Sequence, residues 1–242
     1  MDHKMTRELR RLSNKQFIED IKKYINSPYE FYGTKIPELK TMAKKLHDEN
    51  ELKQFYRVFN NLWKSGHHDK RSLAISALQC YKDELDLETW KFLKPKLKEM
   101  KSWDQIDMVA STIIGEILLK NPLFEREIRS MAKENNIWLK RTAIMSTIPL
   151  INKGDLSLAF KFSEDYMAYK DDYVKEAIGM ILREAGKKKP EQVKKFLLKH
   201  INMPPLVFNY ASEDMKELRK VRKLKKLKED GNGGFLWRVL NP

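Results

Sequence analysis

A serine, a tryptophan and two aspartates lie together at the start of one helical segment of the sequence, residues 101–107. Ser102 is of a type that caps helix N-termini, which places Trp103 and Asp107 one turn apart on one face. Asp104 falls in the first turn, where the helix dipole favours a negative charge. The sequence therefore predicts an aromatic face beside a carboxylate, and this is the strongest candidate for chemistry in the chain.

A second tryptophan lies near the start of a later apolar helix, residues 136–141. Trp138 lies 35 residues after Trp103, with Lys140 beside it and Arg141 one turn on. An arginine at such a position is suited to holding a phosphate through two parallel hydrogen bonds. We therefore group this segment with the first as one predicted site.

Simpler roles are open to each of these side chains taken singly. Asp107 also suits the polar face of a surface helix, Trp103 suits a core or a helix seam, and Arg141 suits a structural ion pair. His67 and His68 are adjacent but have no third ligand nearby, so no metal site is predicted. No phosphate-binding glycine loop and no nucleophile motif is present, and no cofactor is predicted.

Composition favours a helical protein that binds an anionic polymer. The 242 residues are 41% hydrophobic and contain 9 Gly and 9 Pro, too few for a turn-rich all-β fold. A net charge of +14 attracts phosphate backbones, and an anionic membrane surface less well. The single cysteine, Cys80, points to a reducing compartment, and neither a secretion signal nor a membrane span is predicted. We therefore expect a cytoplasmic protein.

Amphipathic helices follow one another along the chain and recur at a fixed spacing. Small and apolar residues repeat at Ala74, Ala110, Ala143 and Ala177, at intervals of 36, 33 and 34 residues. Such a period is typical of an α-solenoid of antiparallel helix pairs, whose curved face is a binding surface. We predict an all-α solenoid of HEAT-like repeats with a concave basic groove. A bundle of about twelve helices without repeat symmetry is the alternative.

Two regions are predicted within the chain. Residues 1–215 form the solenoid, with single helices expected over 102–120 and 136–152. Residues 216–242 form a basic C-terminal extension, either an amphipathic helix or a solvated arm followed by an apolar tail.

The two tryptophan motifs, Lys-Ser-Trp-Asp-x-x-Asp and Asn-Ile-Trp-Leu-x-Arg, resemble those of the AlkD-type family of bacterial DNA glycosylases, which are HEAT-like repeat proteins of DNA alkylation repair. The resemblance covers about residues 15–215. Further matches are Tyr24, Gly33-Thr with Pro37, the segment Lys-Glu-Ala-Ile-Gly179-x-Ile-Leu-Arg-Glu184, and Pro204-Pro-Leu.

The resemblance implies a role for each matching residue. Asp107 matches the catalytic carboxylate, Trp103 the aromatic residue beside the lesion, and Arg141 the residue that binds the nearby backbone. Tyr24 matches a tyrosine near the substrate. Met180 stands where active members often carry a second tryptophan, so this chain lacks one aromatic face.

The resemblance, with the residue chemistry beside it, implies a monofunctional, monomeric DNA N-glycosylase of bacteria that acts on double-stranded DNA with alkylated purines and is nucleoid-associated when bound. Alkylation at N3 or N7 makes the purine cationic and a good leaving group, while positive charge develops on the sugar as the base departs. Asp107 suits the stabilisation of that charge, and the Trp103 face favours a cationic base. A non-catalytic protein that binds damaged or branched DNA is the alternative, and a HEAT scaffold for proteins is a third reading.

Overall fold

The computed structural model describes residues 2–25 and 27–229 of the chain, with side chains described for 4–25 and 27–224. Every regular element in these residues is helical, and strand-like pairing is limited to one parallel bridge between Glu30 and His67. The predicted all-α class is confirmed. The α-helices are α1 Asp2–Arg11, α2 Lys15–Lys22, α3 Ile36–Asp48, α4 Leu52–Trp63, α5 His68–Gln79, α6 Leu87–Leu97, α7 Trp103–Val109, α8 Gly115–Lys120, α9 Glu125–Lys133, α10 Ile137–Met145, α11 Ile148–Asn152, α12 Ser157–Tyr166, α13 Asp172–Lys188, α14 Pro190–Lys199, α15 Pro205–Ala211 and α16 Lys216–Glu229.

One set of helices begins at nearly equal intervals along the chain, as the sequence period predicts. The members α3, α5, α7, α10, α13 and α15 start 32 to 35 residues apart. Successive members pack side by side, α3 on α5, α5 on α7 and α7 on α10, and likewise α13 on α15. This arrangement confirms a solenoid-like all-α fold. The HEAT-like character of the repeats and the concave basic groove stay predictions.

The chain divides into two compact units, Met1–Pro149 and Leu150–Pro242. The predicted boundary at residue 215 stays a prediction, but α16 packs on its own unit through Leu218, which is 1% exposed. The predicted apolar tail, residues 235–242, lies outside the described residues. No described helix has the length and apolar character needed to cross a membrane.

The core contains the alanines that the sequence period predicts. It also contains residues of α1, a helix that the sequence pattern did not predict. Ala74, Ala110, Ala143 and Ala177 are all completely buried. The highly charged segment of α1 buries Met5 and Leu9 at one-turn spacing, and α1 packs against α4. Two apolar residues in ten are too sparse to stand out among six charged ones.

Two long predicted helices are interrupted, both at features that a period does not reveal. The predicted helix 102–120 contains a π-helical turn, Ala110–Ile114, between α7 and α8. The predicted helix 136–152 ends at Met145 and resumes at Ile148, and the hydroxyls of Ser146 and Thr147 between them bond to backbone carbonyls three residues back. Pro149 follows in the first turn of the resumed helix.

Gly115, where α8 begins, lies directly against the turn between α10 and α11. A Cβ atom there would lie 2.5 Å from the Ser146 carbonyl oxygen and 2.6 Å from Pro149 Cδ. We therefore expect Gly115→Ala to lower the free energy of unfolding by about 1–3 kcal/mol through overpacking, measured by urea denaturation. Gly66→Ala is the matched control, since a Cβ atom there meets nothing within 4 Å. Equal stability of the two variants would contradict the packing described for Gly115.

Candidate catalytic site

The centre of the predicted site is an ion pair between α7 and α10. Arg141 Nε donates to one carboxylate oxygen of Asp107 at 2.7 Å, and Arg141 Nη2 donates to the other at 2.6 Å. This paired, two-bond geometry is the strongest form of arginine–carboxylate contact. The Arg141 side chain is 1% exposed and that of Asp107 is 13% exposed. The carboxylate is therefore fixed in orientation from the interior side and reaches the surface at one edge.

The burial of this pair has an electrostatic consequence for Asp107. Loss of water raises the pKa of its carboxyl above the ordinary value, an effect that Arg141 opposes through its hydrogen bonds and charge. The neighbouring Asp104 carboxylate adds to the increase. The charged form of Asp107 is favoured by the two hydrogen bonds from the Arg141 guanidinium, which takes the place of bulk water.

Trp103 stands beside this pair with its indole fixed at one end. Its Nε1 donates to the backbone carbonyl oxygen of Tyr24 at 3.3 Å, and the Arg141 guanidinium carbon lies 5.9 Å from its ring centroid. Trp103 is half-buried, while Tyr24 is 78% exposed. The structure thus brings together Tyr24, Trp103, Asp107 and Arg141, four of the seven residues predicted for the site.

A second carboxylate of α7 is held from the opposite neighbour, α5, which the sequence reading missed. His68 Nε2 lies 3.3 and 3.1 Å from the two oxygens of Asp104. Ser102 occupies the N-cap position of α7 as predicted, but its hydroxyl donates to the Asp104 carboxylate and accepts no capping hydrogen bond from the backbone. His68 is buried and stacks on Phe31 at 4.6 Å between ring centroids. Its separation of 36 residues from Asp104 is one repeat period, and that spacing is the signal that was available.

The loop before α3 supports this side of the site. The Asp69 carboxylate accepts from the backbone N–H groups of Tyr32 at 2.9 Å and Thr34 at 2.8 Å. Gly33 lies between them with φ of +74°, and a Cβ atom there would lie 2.6 Å from Asn14 O. The loop ends where α3 begins at Ile36, and Pro37 lies in the first turn of that helix. The loop holds Phe31 over His68 and follows the strand-like contact of Glu30.

The π-helical turn begins three residues after Asp107, and side-chain hydrogen bonds connect it to the end of α7. The Ser111 hydroxyl donates to the Asp107 carbonyl oxygen and the Thr112 hydroxyl to that of Met108, both at 2.6 Å. A π turn widens the helix and frees carbonyl groups from their usual partners, and such turns are frequent at functional sites. These two hydroxyls satisfy the carbonyls at the end of α7.

The other predicted residues have different surroundings. Asn136 caps α10 by accepting from the Trp138 N–H at 2.9 Å, and Trp138 itself is half-buried. Lys140 is 3% exposed and its ammonium donates to the Ala132 carbonyl, so this geometry does not present it to DNA. Met180 lies half-buried on α13 in the second unit. The lesion-binding or DNA-binding roles of these three residues stay predictions.

The two histidines predicted not to form a metal site have other contacts. His67 stacks on Tyr32 at 4.2 Å between ring centroids and lies 3.7 Å from a Glu30 oxygen. In the part of the chain that the structure describes, no cluster of three or more His, Cys, Asp or Glu residues is arranged to hold a metal ion.

A sequence family described as "DNA alkylation repair enzyme" matches residues 5–215, which is most of the chain. The protein belongs to this family. The matched region includes α7 and α10 with Asp107 and Arg141, and it ends just before α16. No curated protein sequence matches the chain.

Three solved structures share the fold of this DNA alkylation repair family member. A predicted DNA alkylation repair enzyme from Enterococcus faecalis has a TM-score of 0.71 at 18% identity, covering 84% of this chain and 96% of that one. AlkD2 from Streptococcus mutans has a TM-score of 0.59 at 19% identity, covering 82% and 97%. The protein smu.31 from Streptococcus mutans UA159 has a TM-score of 0.56 at 19% identity, covering 73% and 91%.

The contact between His68 and Asp104 predicts a pH-dependent contribution to stability. Burial raises the pKa of Asp104, but hydrogen bonds and charge from His68 and a bond from Ser102 outweigh it and leave the pKa below 3.8. A depressed carboxyl pKa stabilises the fold above the unfolded value and ceases to do so as pH falls through the folded value. We expect Asp104→Asn to lower the free energy of unfolding by about 1–3 kcal/mol at neutral pH.

The loss of stability in Asp104→Asn relative to wild type should disappear in acid. Urea denaturation of both proteins from pH 7 downward should give a difference in free energy of unfolding that is constant at first. This difference should decrease below the ordinary aspartate pKa of 3.8. Asp83→Asn, which changes an exposed carboxylate, is the matched control and should leave stability nearly unchanged. A difference that grows on acidification would contradict the ion-pair assignment.

Proposed function

We propose that this DNA alkylation repair family member is a DNA glycosylase that removes positively charged N3- and N7-alkylated purines from duplex DNA. The observation that carries the proposal is the Asp107 carboxylate, buried, fixed by Arg141 and adjacent to the half-exposed face of Trp103. The reaction is hydrolysis of the N-glycosidic bond. The bond from the sugar C1′ to the purine nitrogen breaks, a water oxygen bonds to C1′, and the proton of that water is lost to solvent.

The chemistry suits a charged carboxylate and does not require an acid. An alkylated purine already carries the positive charge that makes it leave, so its departure transfers positive charge to the sugar. A preorganised negative charge beside C1′ stabilises that state. The electrostatic attraction is stronger where the site contains little water. Asp107 fills this role, and the reaction as proposed uses neither metal nor cofactor.

Arg141 has a positioning role in this proposal. A carboxylate has about four lone-pair positions, of which the two donors from Arg141 occupy one on each oxygen. The remaining positions at the exposed edge are suited to orient a water molecule. The ion pair fits the simpler role considered for Arg141 in the sequence. Its contact with the DNA backbone stays a prediction that would require it to share its donors.

Trp103 is the basis proposed for substrate selection. A cationic base over an indole face gains roughly 0.5–2 kcal/mol that a neutral base lacks. The Tyr24 carbonyl holds the indole Nε1, which fixes the ring orientation and leaves the exposed Tyr24 side chain beside it. The duplex with its lesion is the proposed partner, with the protein acting as a monomer.

Binding without excision is the second candidate function. Met180 replaces an aromatic residue that the family resemblance leads one to expect, and its half-buried side chain offers no ring face. The closed ion pair of Asp107 also reduces the net charge available to a substrate. Such a protein would bind damaged or branched DNA through its phosphates.

We expect the protein to release free N7-methylguanine or N3-methyladenine from duplex DNA and to leave an abasic site. Asp107→Asn removes the charge but keeps the shape, and should slow excision by about a hundredfold or more, or about 3 kcal/mol. The measurement is chromatography of the released base with protein in excess over DNA. Because burial raises the pKa of Asp107, the wild-type rate should fall on acidification with a midpoint above 3.8.

Two controls accompany this measurement. Thermal unfolding of Asp107→Asn separates loss of chemistry from loss of fold, and Asp83→Asn should excise at the wild-type rate because its carboxylate is exposed and distant in sequence. Equal rates for Asp107→Asn and wild type would refute the catalytic assignment. Duplex binding without base release by either protein would establish the second candidate.

Met180→Trp tests how much the missing aromatic face matters. If a ring at this position contacts the lesion, the substitution should raise the rate of excision of a cationic base severalfold, on the scale of one cation–π contact of about 1 kcal/mol. Met180→Leu is the control of similar size without a ring. An equal response to Leu and Trp would show that position 180 does not contact the lesion.

A further inference from the structure

A cavity of about 270 Å³ lies between α15 and α16, in the second compact unit. It is open to the surface, and one side of it is formed by the ring of Phe208. The basic helix α16 supplies the opposite side. The residues that line the cavity are Pro205, Phe208, Asn209, Arg219, Arg222 and Lys223.

Arg222 is built into the wall of this cavity. It is 9% exposed, its guanidinium carbon lies 4.4 Å from the Phe208 ring centroid, and its Nη2 donates to the Met203 carbonyl oxygen at 2.5 Å. Its Nη1 is buried and has no hydrogen-bond partner in the structure. A buried guanidinium donor without an acceptor is unfavourable, and an anion beside it relieves the deficit.

The side chains of Arg219 and Lys223 are exposed and add to the positive charge at the cavity. Arg219 Nη2 donates to the Asn209 carbonyl oxygen at 3.3 Å, and Lys223 is exposed at the next turn of α16. None of the described residues that line the cavity carries a carboxylate. The charge of Arg219 helps to lower the pKa of the Glu213 carboxyl, but this carboxylate accepts a hydrogen bond from Arg183 Nη1 at 2.6 Å.

We propose that the cavity between α15 and α16 is a phosphate-binding site that takes a phosphodiester of duplex DNA. The choice of DNA rests on the proposed function, but the site itself rests on the three cations. Guanidinium groups match the oxygens of a phosphate through paired hydrogen bonds, and the ammonium of Lys223 adds a point charge. An open cavity of this volume admits one phosphate with its water and excludes a stacked base pair. Free inorganic phosphate shares the same chemistry and is the rival ligand.

The site explains the composition of α16. Eight of its fourteen residues are Lys or Arg and only two are Glu. Among the side chains described for α16, residues 216–224, the buried ones are those of Leu218 and Arg222. One helix that packs on its unit and also presents cations to a shared cavity is suited to fixing a DNA strand. The family match ends at residue 215, so α16, which supplies the three cations, lies beyond the matched region, whereas α15 lies within it.

The test compares binding of an unmodified duplex by wild type and by the double variant Arg219→Gln, Lys223→Gln across a series of salt concentrations. Loss of one phosphate contact should lower the slope of log K against log salt by about 0.9. This corresponds to about an eightfold loss of affinity at 0.1 M salt relative to 1 M. Lys188→Gln, Lys195→Gln is the matched control, because it removes the same charge from exposed positions on α13 and α14 that do not line the cavity.

Each outcome decides the proposal. A lower slope for the cavity variant alone supports it, and an equal change in both variants overturns it by showing that net charge suffices. Inorganic phosphate that binds to wild type and not to the cavity variant in calorimetry, with equal duplex salt slopes for the two proteins, assigns the site to free phosphate instead. Base release is measured separately, so a protein that binds with the predicted slopes but excises nothing refutes the proposed function and leaves this site intact.

Discussion

The ion pair of Asp107 and Arg141 is the contact on which the candidate site depends. Either charge buried alone would cost several kcal/mol, because neither has enough water to solvate it. Together they fix α7 against α10 at one point with two short hydrogen bonds. The carboxylate that the proposed reaction uses is therefore also a structural member of the fold, and its position is as well determined as the packing of the two helices.

The same helix is held on its other side by an analogous contact. Asp104 is paired with His68 of α5, so the two carboxylates of α7 have partners on the preceding and following helices of the set. Both pairs join residues about one repeat apart, 36 and 34 positions. The solenoid thus supplies equivalent positions at a fixed distance, and the site arises where three successive helices place charged residues at those positions. Phe31, held by the loop fixed to Asp69, closes the site beyond His68.

The features that were predicted correctly from the sequence follow from its regular repeat, and the features that were missed are local departures from that repeat. The alanine positions, the helix starts and the nearness of Trp103, Asp107 and Arg141 all follow from one repeat length applied to apolar and aromatic residues. The π turn after Val109 was not predictable in this way, since its residues are ordinary helix residues and the hydroxyls of Ser111 and Thr112 act only once the turn exists. Lys140 was grouped with the predicted site because it lies beside Trp138 and Arg141 in the sequence, whereas its ammonium donates to the carbonyl oxygen of Ala132.

In the proposed reaction, the effect of the buried Asp107 carboxylate on its ligand differs between the bound state and the reacting state. Arg141 neutralises much of the carboxylate's field in the resting protein, and a neutral base approaching Trp103 would gain little from it. A departing cationic purine changes this balance, because the sugar then carries a full positive charge close to a carboxylate that no bulk water screens. The interaction grows as the reaction proceeds, which is the condition for lowering a barrier instead of merely tightening binding. A fixed, paired and poorly hydrated aspartate therefore fits the proposed selective excision of cationic bases better than a freely solvated one.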